Sequence, residues 1–194
     1  KRYIETQDEK AILSCFDKIR IQPGDVFFVP GGMPHAIGEG VFMIEIMEPT
    51  DLAVRIEFER GGYVLPEESR FMNRGINFAL SMFSFEAYPV ERIKEKYFCE
   101  PRILDKQGRS TEYILIDEQQ TPCFRVHRID VHDHFEKKYN TFYIGIVSKG
   151  AGIVRIDDQS YTVNAGMKFF IPYKTGPVRF ESEVGMEIIA TFPP

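Results

Sequence analysis

One histidine stands in the most distinctive segment of the chain, which runs from residue 24 to residue 37. The fixed positions of the pattern G-x5-P-x-G-x2-H are filled here by Gly24, Pro30, Gly32 and His35. A histidine at the end of such a turn can offer a neutral imidazole nitrogen to a divalent metal. His35 is therefore a candidate metal ligand, and the alternative is that it only ends a Gly-Gly turn.

Two charged residues follow on predicted strands. Arg55 lies between Val54 and Ile56, so strand alternation turns its side chain away from both neighbours. A guanidinium can clasp a phosphate or an enediolate oxygen, or it can pair with a nearby carboxylate such as Glu57. Glu45, on the preceding predicted strand, is a candidate substrate-binding residue, and an ion pair with Arg55 is its structural alternative.

Short strands must position these residues. Between 12 and 58, runs rich in β-branched and aromatic residues are separated by Pro- and Gly-containing turns, which predicts an antiparallel sheet. The runs are 12–16, 18–21, 26–29, 41–47 and 53–58, with the turn GluProThrAsp at 48–51. A second strand-rich stretch from 98 to 194 has eight such runs and predicts a small complete β-barrel.

A helical connector is predicted between the two strand-rich stretches. Apolar residues at helical spacing indicate a buried helix, with Asn73 as a plausible N-cap. These residues are Ile76, Ala79, Leu80 and Phe83. A second short helix is predicted over 90–96, after Pro89.

An internal repeat supports two related β modules. Residues 22–30 and 164–172 share a Gly, two Phe and a Pro at identical offsets. The predicted division is 1–62 for a partial barrel, 63–97 for the connector and 98–194 for a complete barrel.

The composition of the chain limits the kinds of binding partner that are expected. The 194 residues carry a net charge of −5 and 43% hydrophobic residues, so a real core is expected, and nucleic acid and membrane surfaces are poor partners. Three scattered cysteines predict free thiols in a reducing cytoplasm. An incomplete barrel leaves an edge uncovered, and self-association is one way to cover it.

The segment around His35 resembles the cupin superfamily and, more narrowly, the C-terminal half of the catalytic cupin of class I mannose-6-phosphate isomerases. The residues that carry the resemblance are ProGlyAspValPhePheValProGlyGlyMetProHisAla (23–36), GluIle (45–46) and AlaValArgIle (53–56). The resemblance implies a mainly β fold of cupin, or jelly-roll, barrels, one partial and one complete, joined by the helical connector. Where the pattern often has Asn, this chain has Glu39, and no Lys follows Arg55 within ten residues.

The resemblance also implies a function. It implies zinc-dependent interconversion of mannose 6-phosphate and fructose 6-phosphate through a cis-enediol, with His35 as one of four zinc ligands and Arg55 in the active site. The matching Gln, His and Glu ligands are expected upstream of Lys1, so residues 1–194 alone are predicted to be inactive. The alternatives are a non-catalytic sugar-phosphate-binding cupin and a metal cupin of another reaction class.

The C-terminal barrel is predicted to hold no metal. Its histidines are His127, His132 and His134, and the metal-binding H-x-H of cupins, counted back from Gly150, falls instead on Glu136 and Lys138. The later Glu position falls on Tyr143. Binding by the HisAspHis loop is left open.

Overall fold

A computed structural model of the chain describes residues 1–48, 50 and 52–194. The chain divides into an N-terminal unit, Lys1–Gly24 with Val29–Phe98, and a C-terminal unit, Asp25–Phe28 with Cys99–Pro194. The division predicted from the sequence, into a partial barrel (1–62), a connector (63–97) and a complete barrel (98–194), stays a prediction. Within the described residues, no helix is long and apolar enough to cross a membrane.

Short helices and one small hairpin make up the regular structure of the N-terminal unit. Its elements are α1 (Arg2–Glu5), α2 (Glu9–Leu13), β1 (Glu59–Arg60), β2 (Tyr63–Val64), α3 (Glu67–Arg70), α4 (Gly75–Ser81) and α5 (Val90–Tyr97). A small core buries Ile4, Phe71 and Ala79. Val54, Ile56 and Phe58 pack against this core from one extended segment.

The strands predicted between 12 and 58 are not formed in the described residues. Residues 12 and 13 belong to α2, and the other predicted runs are irregular apart from an isolated bridge residue at Phe27. A β-rich composition specifies a strand only where a neighbouring segment supplies the hydrogen-bonding ladder. The turn predicted at 48–51 includes Pro49 and Asp51, which lie outside the described residues.

The two predicted connector helices are present as α4 and α5. The predicted N-cap is wrong: Asn73 adopts a left-handed φ of 56°, and Arg74 precedes α4 without a side-chain cap. α5 begins after Pro89, whose fixed φ suits a helix entry.

The C-terminal unit is an antiparallel β structure. Its strands are β3 (Arg102–Gln107), β4 (Ser110–Ile116), β5 (Arg125–Val131), β6 (His134–Lys137), β7 (Tyr143–Ile156), β8 (Gln159–Asn164), β9 (Lys168–Ile171), β10 (Val178–Glu181) and β11 (Met186–Phe192). The hydrogen-bonded order is β3-β4-β5-β11-β7-β10-β6, with β8 and β9 also paired to β7. Each of the eight predicted runs overlaps one of these strands, and two of them, 141–147 and 152–156, fall on the single strand β7, while β3 and β6 were not predicted.

Side chains that point alternately inward and outward along the strands fill the interior of this unit. Along β11 the side chains of Met186, Ile188, Ala190 and Phe192 are buried, and the intervening residues are only partly so. Phe135 on β6 and Phe180 on β10 are fully buried in the same core.

Strand β7 runs through both halves of the unit. Its first residues pair with β9 and β11, and its last residues pair with β8 and β10. Gly150, at a φ of 71°, lies at the change of partner, and a Cβ there would lie 1.9 Å from the carbonyl oxygen of Gly185. Only glycine fits this backbone.

A side chain links the two ends of the strand order, β3 and β6. The amide of Gln107 donates to the carbonyl oxygen of Glu136 at 2.9 Å and accepts from the backbone N–H of Glu136 at 2.9 Å. We call this junction the seam of the barrel. It is held by side-chain bonds from Gln107 in place of a strand ladder.

Candidate functional site

His35 lies in an exposed turn of the N-terminal unit. Its Nδ1 is 2.9 Å from the carbonyl oxygen of Met33, and since a carbonyl only accepts, Nδ1 is the donor. In the neutral ring the lone pair is then on Nε2. The turn is fixed by Gly32, whose carbonyl accepts from Ser84 at 2.8 Å and whose Cβ, if present, would lie 2.9 Å from the Met82 carbonyl.

Arg55 lies on the extended segment that packs Val54 and Ile56 into the small core. Its side chain is exposed, on the side opposite those two residues, as the alternation predicts. The backbone N–H of Arg55 donates to the carbonyl of Arg70 at 3.0 Å, and its guanidinium is 3.4 Å from the carbonyl of Ser69. These bonds fix the base of the side chain.

Gln7 holds the same segment from the other side. Its amide donates to the carbonyl of Ile56 at 3.0 Å and accepts from the N–H groups of Phe58 at 2.8 Å and Glu59 at 3.1 Å. The segment that carries Arg55 is therefore anchored although it forms no sheet.

Glu45 is exposed, and the ion pair suggested between Glu45 and Arg55 is not present. Within residues 1–48, 50 and 52–194, no hydrogen bond or ion pair joins any two of His35, Glu45 and Arg55. In the same residues no three His, Cys, Asp or Glu side chains come together as a metal site. The described residues alone therefore do not fit a three-ligand metal centre, and the roles of these residues stay predictions.

A second group of polar residues lies inside the C-terminal unit, and we call it the barrel cluster: Glu112, His127, Lys137 and Tyr139. Glu112 is fully buried and accepts from His127 Nδ1 at 2.7 Å and from the Tyr139 hydroxyl at 2.6 Å. The Lys137 ammonium donates to the other carboxylate oxygen and lies 3.3 Å from Asp105. One buried carboxylate thus gathers three donors from different parts of the barrel.

Hydrogen bonding decides the charge of this carboxylate. Burial works to raise the pKa of Glu112, but the bonds from His127, Lys137 and Tyr139 outweigh it and leave the pKa below its ordinary value. The pKa of Tyr139 is raised, first by burial and then by the Glu112 charge. The cluster therefore contains a carboxylate and a protonated phenol at neutral pH.

Sequence reasoning missed the barrel cluster because its register was one residue off. The H-x-H places were assigned to Glu136 and Lys138, and the structure leaves both exposed. Lys137 and Tyr139 are the residues that contact the buried Glu112, and Tyr143 is buried further along the chain. The alternation of β4, which buries Ser110 and Glu112, is the signal that could have found the cluster.

The HisAspHis loop is organised by its aspartate. Asp133 accepts from the backbone N–H of His134 at 2.6 Å and from the Ser110 hydroxyl at 2.8 Å, and these bonds lower its pKa to about 2. The adjoining groove, of about 420 Å³, pairs Arg109 with Asp133 and Arg179 with Glu181. Both arginines of the groove are thus already paired within the protein.

Comparison with known proteins points to one family. Residues 118–193 match the family model described as the cupin domain of mannose-6-phosphate isomerase. The chain is 26% identical over 183 residues to a probable mannose-6-phosphate isomerase, GmuF, of Bacillus subtilis (strain 168), covering 93% of the chain and 52% of that protein. It is 24% identical over 176 residues to a mannose-6-phosphate isomerase of Streptococcus mutans, covering 90% of the chain and 50% of that protein.

A solved structure shares the fold. The mannose 6-phosphate isomerase from Bacillus subtilis superposes with a TM-score of 0.52 at 13% identity, over 71% of this chain and 39% of that one. At this identity the likeness concerns the fold alone. The chain spans about half the length of the curated relatives that it matches. The chain is mainly β, its residues 118–193 match the cupin domain of mannose-6-phosphate isomerase, and as a whole it is similar to about half the length of proteins of that name.

Proposed function

We propose that the chain is part of an aldose–ketose isomerase that interconverts mannose 6-phosphate and fructose 6-phosphate. The observation that carries the proposal is the similarity to curated mannose-6-phosphate isomerases over 90% or more of the chain, across both units. The reaction moves a proton between C1 and C2 of the sugar through a cis-enediol. It needs a group that orients the substrate oxygens and one that moves the proton.

Arg55 is proposed to hold an anionic oxygen of the substrate. Among the described residues its exposed guanidinium contacts a single carbonyl, at 3.4 Å, and its backbone is anchored, so its charge is available to a ligand. Charge-assisted hydrogen bonds to a phosphate or enediolate contribute about 1.5–3 kcal/mol. Glu45, also exposed, is proposed to bind substrate hydroxyls.

Zinc is proposed as the metal, with His35 as one ligand through Nε2. A donor bond from Nδ1 to a backbone carbonyl is a common way to orient a metal-binding imidazole. The described residues supply no three-ligand set, so the other ligands are proposed to lie upstream of Lys1.

The test is activity of the natural gene product that contains this sequence, assayed by conversion of mannose 6-phosphate. Arg55→Ala should lower kcat/KM by about 10- to 100-fold, and Arg55→Lys should recover only part of it, because Lys lacks the bidentate fork. Arg60→Ala is the matched control, since Arg60 is exposed and paired with Glu57 at 3.5 Å. A gene product without isomerase activity contradicts the function, and equal losses in both arginine variants contradict the role of Arg55.

Residues 1–194 alone give a separate test. We expect weak zinc binding and no turnover, because the described residues hold no set of three ligands. Tightly bound zinc at a one-to-one ratio with turnover would contradict the proposed ligand set while leaving the isomerase function in place.

A non-catalytic sugar-phosphate-binding cupin is the second candidate. The observation that favours it is the lack of a three-ligand cluster within residues 1–48, 50 and 52–194. Saturable binding of mannose 6-phosphate by the natural gene product, without turnover and without zinc, would support it over the isomerase.

A further inference from the structure

Strand β8 lies at an edge of the C-terminal unit. In the part of the chain that the structure describes, it pairs with β7 alone, through a hairpin whose two-residue turn is Asp157–Asp158. The residues of β8 are exposed except Val163, which belongs to the core. The outer edge of β8 therefore has no strand beside it.

The pairing with β7 determines which backbone groups point to this open edge. Just after β8, the N–H of Ala165 donates to the carbonyl oxygen of Gly150 at 2.9 Å, so Ala165 directs its backbone groups toward β7. In an antiparallel ladder such residues alternate with residues whose N–H and C=O groups point the other way. Counting back from Ala165, the residues that point to the open edge are Ser160, Thr162 and Asn164.

The composition of β8 leaves this edge unprotected against pairing. The six residues Gln159–Asn164 include no charged residue and no proline, and three of them are of types that favour strands: Tyr161, Thr162 and Val163. Strand β9, which also pairs with β7 alone, carries Lys168 and is followed by Pro172. A lysine and a proline are two devices that discourage pairing at an edge. Of these two edges, the one at β8 therefore accepts a further strand more readily.

The charges at the two ends of β8 favour a second copy of the chain as the partner. Asp157 and Asp158, both exposed, precede the strand, and the exposed Lys168 follows it after the turn at 165–167. Two β8 strands in antiparallel pairing direct the acidic end of each copy toward the basic end of the other, twice by symmetry. Parallel pairing would instead bring the four aspartates together. The charges therefore select an antiparallel pair of identical strands.

One register of this pair uses every residue that points to the open edge. With Thr162 on the two-fold axis, the two Thr162 residues face each other, and Ser160 faces Asn164 of the second copy. These are the positions whose backbone groups point outward, so they form the hydrogen-bonded pairs. Tyr161 then faces Val163 of the second copy, and an aromatic residue opposite a β-branched one is a favourable cross-strand pair.

We propose that the chain self-associates through β8, as an antiparallel, two-fold symmetric pair that extends the β7–β8 ladder into a second copy. This surface is separate from the residues of the proposed isomerase function and from the partial barrel predicted at 1–62, and the proposal does not depend on that function. A pairing limited to one strand is a small interface, so we expect weak, concentration-dependent association.

The test is sedimentation velocity of the natural gene product that contains this sequence, together with hydrogen exchange at rising protein concentration. The average mass should rise toward twice its low-concentration value between about 5 and 500 µM, the range in which dissociation constants of weak complexes fall. Amide exchange at Ser160 and Thr162 should slow over the same range, because their N–H groups become hydrogen-bonded. A constant mass, or exchange at these two amides that does not change with concentration, would overturn the proposal.

Charge variants on the two-fold axis test the register. Thr162→Lys and Thr162→Glu each place like charges opposite each other and should weaken association at least about tenfold, whereas an equal mixture of the two variants should recover it. Val184→Lys is the matched control, since Val184 is 81% exposed and lies outside β8. Unchanged association in both Thr162 variants, or a mixture that stays monomeric, would contradict the pairing. The exchange measurement uses the unchanged protein, so it decides the question even where a variant does not fold.

Discussion

Replacing Glu112 by Gln tests whether charge holds the barrel interior together. A Gln amide oxygen can still accept from His127 and Tyr139, but the amide nitrogen cannot accept from Lys137. The change therefore removes one buried charge-assisted hydrogen bond, worth about 1.5–3 kcal/mol, while Lys137 keeps Asp105 at 3.3 Å. For a unit of about 100 residues, this corresponds to a fall of about 10 °C in Tm.

The assay is urea unfolding of the chain followed by tyrosine signals of the C-terminal unit. Glu118→Gln is the matched control, because Glu118 is exposed. The double variant Glu112→Gln/Lys137→Met should lose less free energy of unfolding than the two single variants lose together, and the difference, which is the coupling energy, should be at least about 1 kcal/mol. A loss below about 0.5 kcal/mol for Glu112→Gln, or strict additivity, would refute the reasoning.

The pH dependence of stability provides a second test of the Glu112 carboxylate. The pKa of Glu112 is lowered in the folded chain, so its contribution to stability is present above its ordinary pKa of 4.5 and is lost as the pH falls through the lower folded pKa. Glu112→Gln lacks this titration. The stability difference between the two proteins should therefore shrink as the pH falls below 4.5, and a difference that stays constant would contradict the shifted pKa.

Four further outcomes are expected from other parts of the chain. Gly150→Ala should destabilise the C-terminal unit by about 3 kcal/mol or more in urea unfolding, while Gly166→Ala, with a φ of 90° but open space around it, should lose only about 1–2 kcal/mol. Gln107→Ala should remove two bonds at the seam and speed hydrogen exchange there, at a loss of about 1–2 kcal/mol; unchanged exchange would contradict the described junction. Asp133 should titrate near pH 2 by carboxyl NMR, so its bonds to the loop persist from neutral pH down to that value, and a midpoint near 4 would show that they are absent. Gln7→Ala should lower the stability of the N-terminal unit by about 2–3 kcal/mol, because three bonds to the segment at 56–59 are lost, and a loss under about 0.5 kcal/mol would argue against that anchor.

The sequence was most informative where local patterns and tertiary pairing agree. Alternation identified β11 and its neighbours because each of these strands has partners along its length. Helical spacing identified α4, whose Ala79 is buried as the pattern requires. The two copies of the internal repeat also have similar turns, since Gly24 and Gly166 both adopt a left-handed φ, at 98° and 90°.

Prediction was least successful where a contact joins distant residues. Apart from the isolated bridge at Phe27, the described segments before residue 58 have strand-like composition but form no strand ladder, so their composition could not decide their structure. The barrel cluster depends on which face of β6 points inward, and a shift of one residue moves every side chain to the other face. Alternation along β4 turns Glu112 inward, but its donors lie on β5, on β6 and just after β6, and no local pattern in the chain predicts that they meet there.

Strand β7 has a consequence for how the C-terminal unit unfolds. Its 14 residues are hydrogen-bonded to four other strands, with β9 and β11 at one end and β8 and β10 at the other. Because the same strand pairs in both halves of the unit, losing the ladder at one end of β7 frees the backbone that aligns the strands at its other end. The unit should therefore melt in a single cooperative transition, with the amide protons of β7 among the last to exchange with solvent.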